Sequence, residues 1–387
     1  MTRFLGYGRQ TIDDIDIQAV VDVLKSDFLT QGPAVTAFEK SIADLTGAKY
    51  VVAVANGTAA LHIACLAAGL KDGDVGVTQP VTFCASANAI TYCGARADLV
   101  DIDPETMTMS VDGLTAYLAD HPECKVVIPV SYGGLSSSNA ALRKAAGDRI
   151  IIEDASHSVG AIGEDGNMVG TGYADMYTFS FHPVKPITTG EGGAVATDDP
   201  DLYKALQLLR SHGIEREPGL LQNTEDAGKP WYHEQQVLGF NYRLCDIQAA
   251  LGTAQMSRLP AFIARRREIA IFYDREFAGM NHVRLVQARP DQRDRSGHHL
   301  YTIRIDYDAV GKPREQVMKE LAERQVGSQV HYIPVHRMPY HAPRFEGRSF
   351  PESDAYYAET LTLPCFPTLT DDEAAQVVAA VRGVLGS

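Results

Sequence analysis

Tryptophan occurs once and cysteine six times in 387 residues, and no two cysteines are spaced as Cys-x-x-Cys. Cys65, Cys84, Cys93, Cys124, Cys245 and Cys365 each lie in or beside an apolar stretch. That pattern argues against a disulfide framework or a zinc site and for reduced, packed thiols, so no metal is expected. No apolar run reaches membrane-spanning length, and Met-Thr-Arg-Phe-Leu-Gly lacks the apolar core of a secretion signal, which makes the cytoplasm the expected location and a membrane partner unexpected. Positive charge is also short. Thirty-five Lys and Arg against 49 Asp and Glu leave a net charge of −14, which works against non-specific binding to nucleic acid. Repeats and low-complexity linkers are absent. What remains is ordinary for a globular protein, 45% hydrophobic and 22% charged, and long enough for a large domain and a smaller one.

Along the chain, Thr11 with Asp13 and Asp14 reads as a capped helix start, and a second helix is expected from Pro33 to about Gly47. From Tyr50 the texture changes to short β-rich runs (50–54, 76–78, 97–101, 125–130, 149–153 and 176–181) separated by helix-length segments. This alternation marks an α/β domain with a mostly parallel sheet, whose ligands bind at the carboxyl ends of the strands. Two long helices are expected after Asn241, from the spacings Leu244-Ile247-Leu251-Ala254 and Phe262-Ile269-Tyr273-Phe277. Beyond about Gly279, strands at 298–305 and 328–332 and helices near 314–324 and from Asp371 suggest a small α+β domain. The expected division is 1–260 and 261–387. Arg265-Arg266-Arg267 reads as a solvated helix face, and His331 and His336 as packing residues.

The chemistry concentrates at Ser180-Phe181-His182-Pro183-Val184-Lys185 and the Gly-rich turn after it. A lysine between a β-run and such a turn can lose hydration and serve as a nucleophile. Taken alone, it fits a phosphate-binding or a surface role equally well. Thirty-one positions earlier, Ile150-Ile151-Ile152-Glu153-Asp154 is a strand that ends in acid, a feature that by itself more often caps a helix. Asn56-Gly57-Thr58-Ala59 sits where a strand turns into a helix. Gly57 allows close backbone approach there, and the helix N-terminus offers unpaired N–H groups to an anion.

The lysine segment, with its spacing to Asp154, resembles the cofactor-lysine motif of the DegT/DnrJ/EryC1/StrS sugar aminotransferases, and the likeness covers nearly the whole chain. It implies a pyridoxal-phosphate (PLP) transferase of fold type I, α/β, with a mostly parallel central sheet in the large domain. By this resemblance Lys185 binds the cofactor covalently and Asp154 meets its ring nitrogen, where an opposite charge keeps the nitrogen protonated. His157 lies beside the cofactor, Phe83 stacks on its ring, and Gly57, Thr58 and Ser180 face its phosphate. Glu153 is left as a structural residue. Asn241, expected to open the long helix, reaches the partner's site, which implies a homodimer with shared active sites.

Tyr7, the segment 27–32, Leu209–Ile214 and the run 329–336 are most similar to the PseC-type branch. Its enzymes are UDP-4-amino-4,6-dideoxy-N-acetyl-β-L-altrosamine transaminases of pseudaminic acid synthesis. That likeness implies L-glutamate as donor and a UDP-linked 4-keto-6-deoxy sugar as acceptor. It places Tyr7, Asp27, Phe28, Leu29, Thr30, Gly57, Ser180, Asn241, Gln329, Val330, His331 and Tyr332 around the substrate. Ser131-Tyr132-Gly133-Gly134-Leu135-Ser136-Ser137-Ser138 departs from the branch's pattern after the strand ending at Val130. Competing readings are amination of a GDP-perosamine or UDP-bacillosamine precursor, and a non-catalytic sensor on the same fold. The sensor should have lost part of the lysine, aspartate and phosphate-binding set, which is complete here.

Overall fold

The computed structural model describes residues 3–223 and 225–386. Its centre is a seven-stranded sheet. The strands in chain order are β1 (Tyr50–Val54), β2 (Val75–Thr78), β3 (Arg96–Leu99), β4 (Cys124–Val127), β5 (Ile150–Asp154), β6 (Met176–Ser180) and β7 (Gly193–Thr197). They lie in the order β1-β7-β6-β5-β4-β2-β3, and all pairs are parallel except those that β7 makes with β1 and β6. Burial on both faces fits strands that read as continuous apolar runs, as in β1 over residues 51–54.

Helices cover both faces. They are α1 (Asp14–Leu24), α2 (Pro33–Thr46), α3 (Gly57–Ala67), α4 (Ala85–Tyr92), α5 (Val111–Asp120), α6 (Ala140–Ala146) and α7 (Pro200–Arg210), followed by α8 (Asp246–Met256) and α9 (Leu259–Phe277). Three of their ends show why they start and stop there. Pro33 sits at the first turn of α2, and Gly47 ends it with φ +77°. Asp13, not Thr11, caps α1, because its carboxylate takes the N–H groups of Ile15 and Asp16.

A three-stranded antiparallel sheet follows, of Val283–Leu285, Tyr301–Ile305 and Thr360–Leu363. Helix α9 belongs to two cores. Its Leu259, Phe262 and Ile263 pack with Phe179, Phe181 and Ile187 of the large sheet's core, whereas Ile269, Tyr273 and Phe277 pack with Tyr301, Leu361 and Leu363. Arg266, at the crossing, is buried at 1% exposure and donates to the carbonyls of His299 (3.2 Å) and Cys365 (2.6 Å). The solvated-face reading therefore fails for Arg266: three neighbouring carbonyls replace its water.

Two further expectations are corrected. Residues 328–332 form no strand, since only Gln329 pairs, with Thr362. Asn241 does not open a helix. Residues 241–243 are extended, with Asn241 bridging to Ser211 and Arg243 to Val54, and α8 begins at Asp246. Among the described residues, no helix is long and apolar enough to cross a membrane, and no cluster of His, Cys, Asp or Glu could hold a metal ion. Cys65, Cys124 and Cys365 are buried, and Cys84, Cys93 and Cys245 half-buried; all six are free.

Candidate active site

A cavity of about 720 Å³ opens at the carboxyl ends of β4, β5 and β6, where an α/β sheet binds its ligands. Each wall comes from a segment whose local structure fixes it. Strand β5 ends at Asp154, whose Oδ2 accepts from Ser86 Oγ at 2.6 Å and whose Oδ1 accepts from Ser156 N at 3.2 Å. Strand alternation sends the adjacent Glu153 to the opposite face, where it is fully buried.

Strand β6 ends at Ser180, and the chain then folds back on itself. Phe181 O accepts both Thr189 N (3.0 Å) and Thr188 Oγ1 (3.1 Å), while Lys185 N donates to His182 O (2.9 Å). This closed loop presents the Lys185 side chain to the cavity. Burial pushes the Lys185 ammonium down to about 8, against the pull of the Asp154 carboxylate. An amine so tuned is partly unprotonated near neutral pH and is available as a nucleophile.

The opposite wall is the first turn of α3. Asn56 caps it, with Oδ1 accepting Ala59 N at 2.8 Å, and Gly57 and Thr58 lie ahead of that bond at the cavity wall. A Cβ on Gly57 would sit 2.8 Å from Ser180 Cβ and 3.1 Å from Ser180 Oγ. A Cβ on Gly193 would sit 2.5 Å from Asn56 O. The turn thus packs against the ends of β6 and β7 only because both positions are glycine. The result is a small cradle of helix N–H groups and a serine hydroxyl, of the kind that binds a phosphate.

Aromatic and imidazole rings line the remaining walls. Phe83 stands at the rim, 57% exposed, with its ring 6.2 Å from that of Tyr332. His157 Nε2 lies 3.0 Å from the Tyr332 hydroxyl, and its Nδ1 accepts Gly133 N at 3.3 Å. Tyr7 reaches the cavity because the N-terminal segment is tied to the second sheet region. Leu5 pairs with Val326, and Tyr7 O accepts Cys365 N. The Tyr7 ring lies 4.9 Å from that of His331. Burial, reinforced by the nearby Lys185 charge, keeps His157, His299 and His331 below the ordinary histidine range.

Of the residues singled out from sequence, Lys185, Asp154, Gly57, Thr58, Phe83, His157, Ser180, Tyr7, His331 and Tyr332 meet in this cavity. Asp27, Phe28, Leu29, Thr30 and Asn241 do not, and neither do Gln329 and Val330. Residues 27–30 are exposed on the chain's surface against the start of α8, where Leu29 O accepts Asp246 N. Asn241 is exposed as well. The sequence reading missed Ser86, His299 and Tyr242. Ser86 lies three residues beyond Phe83 in a helix that reads as packing. His299 arrives from the irregular segment before the strand Tyr301–Ile305, more than a hundred positions beyond Lys185, and no local pattern announces it.

The donor set suits PLP on these observations: an amine tuned by burial, a carboxylate in the same cavity, and a glycine-dependent anion cradle.

Comparison with known proteins agrees. The model for the DegT/DnrJ/EryC1/StrS aminotransferase family matches residues 10–382. The spore coat polysaccharide biosynthesis protein SpsC of Bacillus subtilis is 35% identical over 387 residues, 99% of this chain and 97% of its own. Among solved structures, Helicobacter pylori PseC, an aminotransferase involved in the biosynthesis of pseudaminic acid, superposes with a TM-score of 0.89 at 27% identity, covering 99% of both chains. The PLP form of Spr1654 from Streptococcus pneumoniae superposes at 0.86 and 27% identity, covering 99% of this chain and 98% of its own.

Proposed function

The chain belongs to the DegT/DnrJ/EryC1/StrS aminotransferase family, and on that premise we propose that it moves the amino group of L-glutamate to C4 of a UDP-linked 4-keto-6-deoxy-N-acetyl sugar, as in pseudaminic acid synthesis. The observation that carries the reading is the meeting of Lys185 and Asp154 in one cavity with the first turn of α3 on its wall.

Pyridoxal phosphate, when bound, withdraws electrons from the carbon that bears the transferred nitrogen. The chain's own groups do the rest. Lys185 Nζ holds the cofactor covalently between turnovers. Once displaced, the free amine would take the proton from the donor's α-carbon and pass it to the cofactor, and in the acceptor half it would take a proton back from the cofactor and give it to the sugar carbon that gains the nitrogen. Asp154 keeps the cofactor's ring nitrogen protonated, and Ser86 holds that carboxylate in place. Gly57, Thr58 and Ser180 receive the phosphate, Phe83 covers the ring, and His157 stands beside it.

Tyr7, His331 and Tyr332 bound the side from which a sugar enters. Asp27, Phe28, Leu29, Thr30, Asn241, Gln329 and Val330 contact the nucleotide sugar or the partner's site in a two-fold dimer. Three observations support that assembly: Asn241 is exposed, residues 27–30 lie outside the cavity, and Phe28, Leu29, Trp231 and Leu238 are exposed at 52%, 48%, 74% and 81%.

A panel of nucleotide keto-sugars with purified protein, PLP and glutamate tests the reading. The expected result is glutamate-dependent amination of the UDP-linked 4-keto-6-deoxy-N-acetyl sugar at least tenfold above any GDP-linked one. Preference for a GDP-linked acceptor would move the proposal to another sugar within the same family.

A further inference from the structure

We propose that Tyr132 and Gly133 are positioning residues that hold the His157–Tyr332 pair in one arrangement, and that buried Glu153, caged by serines, anchors them. The proposal rests on the reading of this cavity as the cofactor site.

Tyr132 and Gly133 lie in 131–138, the segment whose sequence departs from the branch pattern. Ser131 N donates to Asp154 O (3.0 Å), so the segment starts on the strand that carries Asp154. Behind that strand, Glu153 Oε1 accepts from Ser131 Oγ and from Ser136 Oγ (2.9 Å), while Ser137 N donates to Ser131 Oγ (3.1 Å). Glu153 and Ser131 have no exposed surface, and Ser137 and Ser138 almost none. Burial pushes the Glu153 carboxyl up and the serine donors pull it down. A buried carboxyl that takes two serine hydroxyls on one oxygen fixes the chain around it, because moving it would leave both hydroxyls unpaired, although its Oε2 has no partner.

From that anchor the segment reaches both members of the pair. Tyr132, fully buried, donates its hydroxyl to His331 O (2.9 Å) and lies 2.6 Å from the Tyr356 hydroxyl, which in turn accepts from Thr360 Oγ1. Tyr132 therefore fixes the peptide that precedes Tyr332. Gly133 N donates to His157 Nδ1. Gly133 has φ +68°, and a Cβ there would meet Gln287 Oε1 at 2.9 Å, so only glycine brings this N–H to the ring. With Nδ1 accepting, the imidazole is neutral and carries its proton on Nε2, which donates to the Tyr332 hydroxyl. Protonating His157 would set two N–H groups against each other. Lys185, His331, His299, Tyr332, Tyr132 and Asp154 face or adjoin this ring; burial, Lys185 and His331 all disfavour its charged form.

Histidine NMR on the apoprotein, with His157 assigned through His157→Asn, tests the proposal without reference to turnover. In the wild type, His157 is expected to stay neutral to well below the ordinary histidine range, because burial and the nearby Lys185 charge disfavour its charged form. In Tyr132→Phe its titration should move up toward the ordinary histidine range. The activity profile should gain an acid limb in the same range, and kcat should fall more than KM rises. A His157 signal that stays flat in a folded Tyr132→Phe protein overturns the proposal. Should that variant not fold, Ser136→Ala removes one donor from Glu153 and leaves Tyr132 intact. The same upward shift, smaller, is expected, and no shift overturns the anchoring. Borohydride fixation of PLP on wild-type Lys185 is followed in parallel. Its absence would defeat the cofactor reading, whereas the apoprotein titration decides the positioning role by itself.

Discussion

An amine is a useful nucleophile only when it can shed its proton, and the fold brings Lys185 to that state by taking its water away. Because the folded value, about 8, lies below the ordinary lysine value of about 10.4, the unfolded chain binds more protons between these limits. This one group therefore destabilises the apoprotein near neutral pH, and its penalty fades as pH rises from about 8 to about 10.4. The same shift gives a chemical prediction. Capture of a small aldehyde by Lys185 in the apoprotein, followed by mass spectrometry after reduction, should rise with pH through a midpoint near 8. A midpoint above about 10 would mean that the side chain is solvated and untuned. Lys185 and Asp154 were legible in the sequence because one follows a β-run and precedes a Gly-rich turn, and the other ends a strand. Ser86 and His299 were not, since their place depends on how separate elements meet, and that is tertiary information.

At the level of elements, the site depends on the fit of α3 against the ends of β6 and β7. Gly57→Ala would drive a Cβ to 2.8 Å from Ser180 Cβ, on two elements held by their own backbone bonds. The strain expected of an overpacked contact is about 1–3 kcal/mol. If the helix end yields, this appears as a loss of PLP affinity of roughly 5- to 150-fold. A titration of apoprotein with PLP, read by absorbance, measures it; unchanged affinity would place the phosphate elsewhere. The same packing explains a strand that was not anticipated. Gly193-Ala194-Val195-Ala196-Thr197 follows a Gly-rich turn and has small residues in place of a bulky β-run. Gly193 must be small because the Asn56 carbonyl crosses over it. Residues 328–332 failed in the opposite sense. Their apolar and aromatic pattern reads as a strand, but Tyr332 turns toward His157 and leaves Gln329 as the paired position.

For the whole molecule, the chain's beginning, middle and end converge on one cavity. The N-terminal segment brings Tyr7, the central sheet brings Asp154 and Lys185, and the segment before Thr360–Leu363 brings Tyr332. Helix α9, shared by two cores, holds the two sheets in register with each other. The alternation of strands and helices made the α/β class legible from Tyr50 onward. The convergence of Tyr7 and Tyr332 on Lys185 came only from the family resemblance, because nothing local ties Tyr7 to Cys365. The catalytic and cofactor-binding roles depend on the cofactor being attached to Lys185. The most direct measurement is intact and peptide mass spectrometry of protein loaded with PLP and reduced with borohydride, with Lys185→Arg alongside. One reduced cofactor per chain, on the peptide that contains Lys185 and absent from the variant, is the predicted result. No adduct, or one on another lysine, would contradict the account.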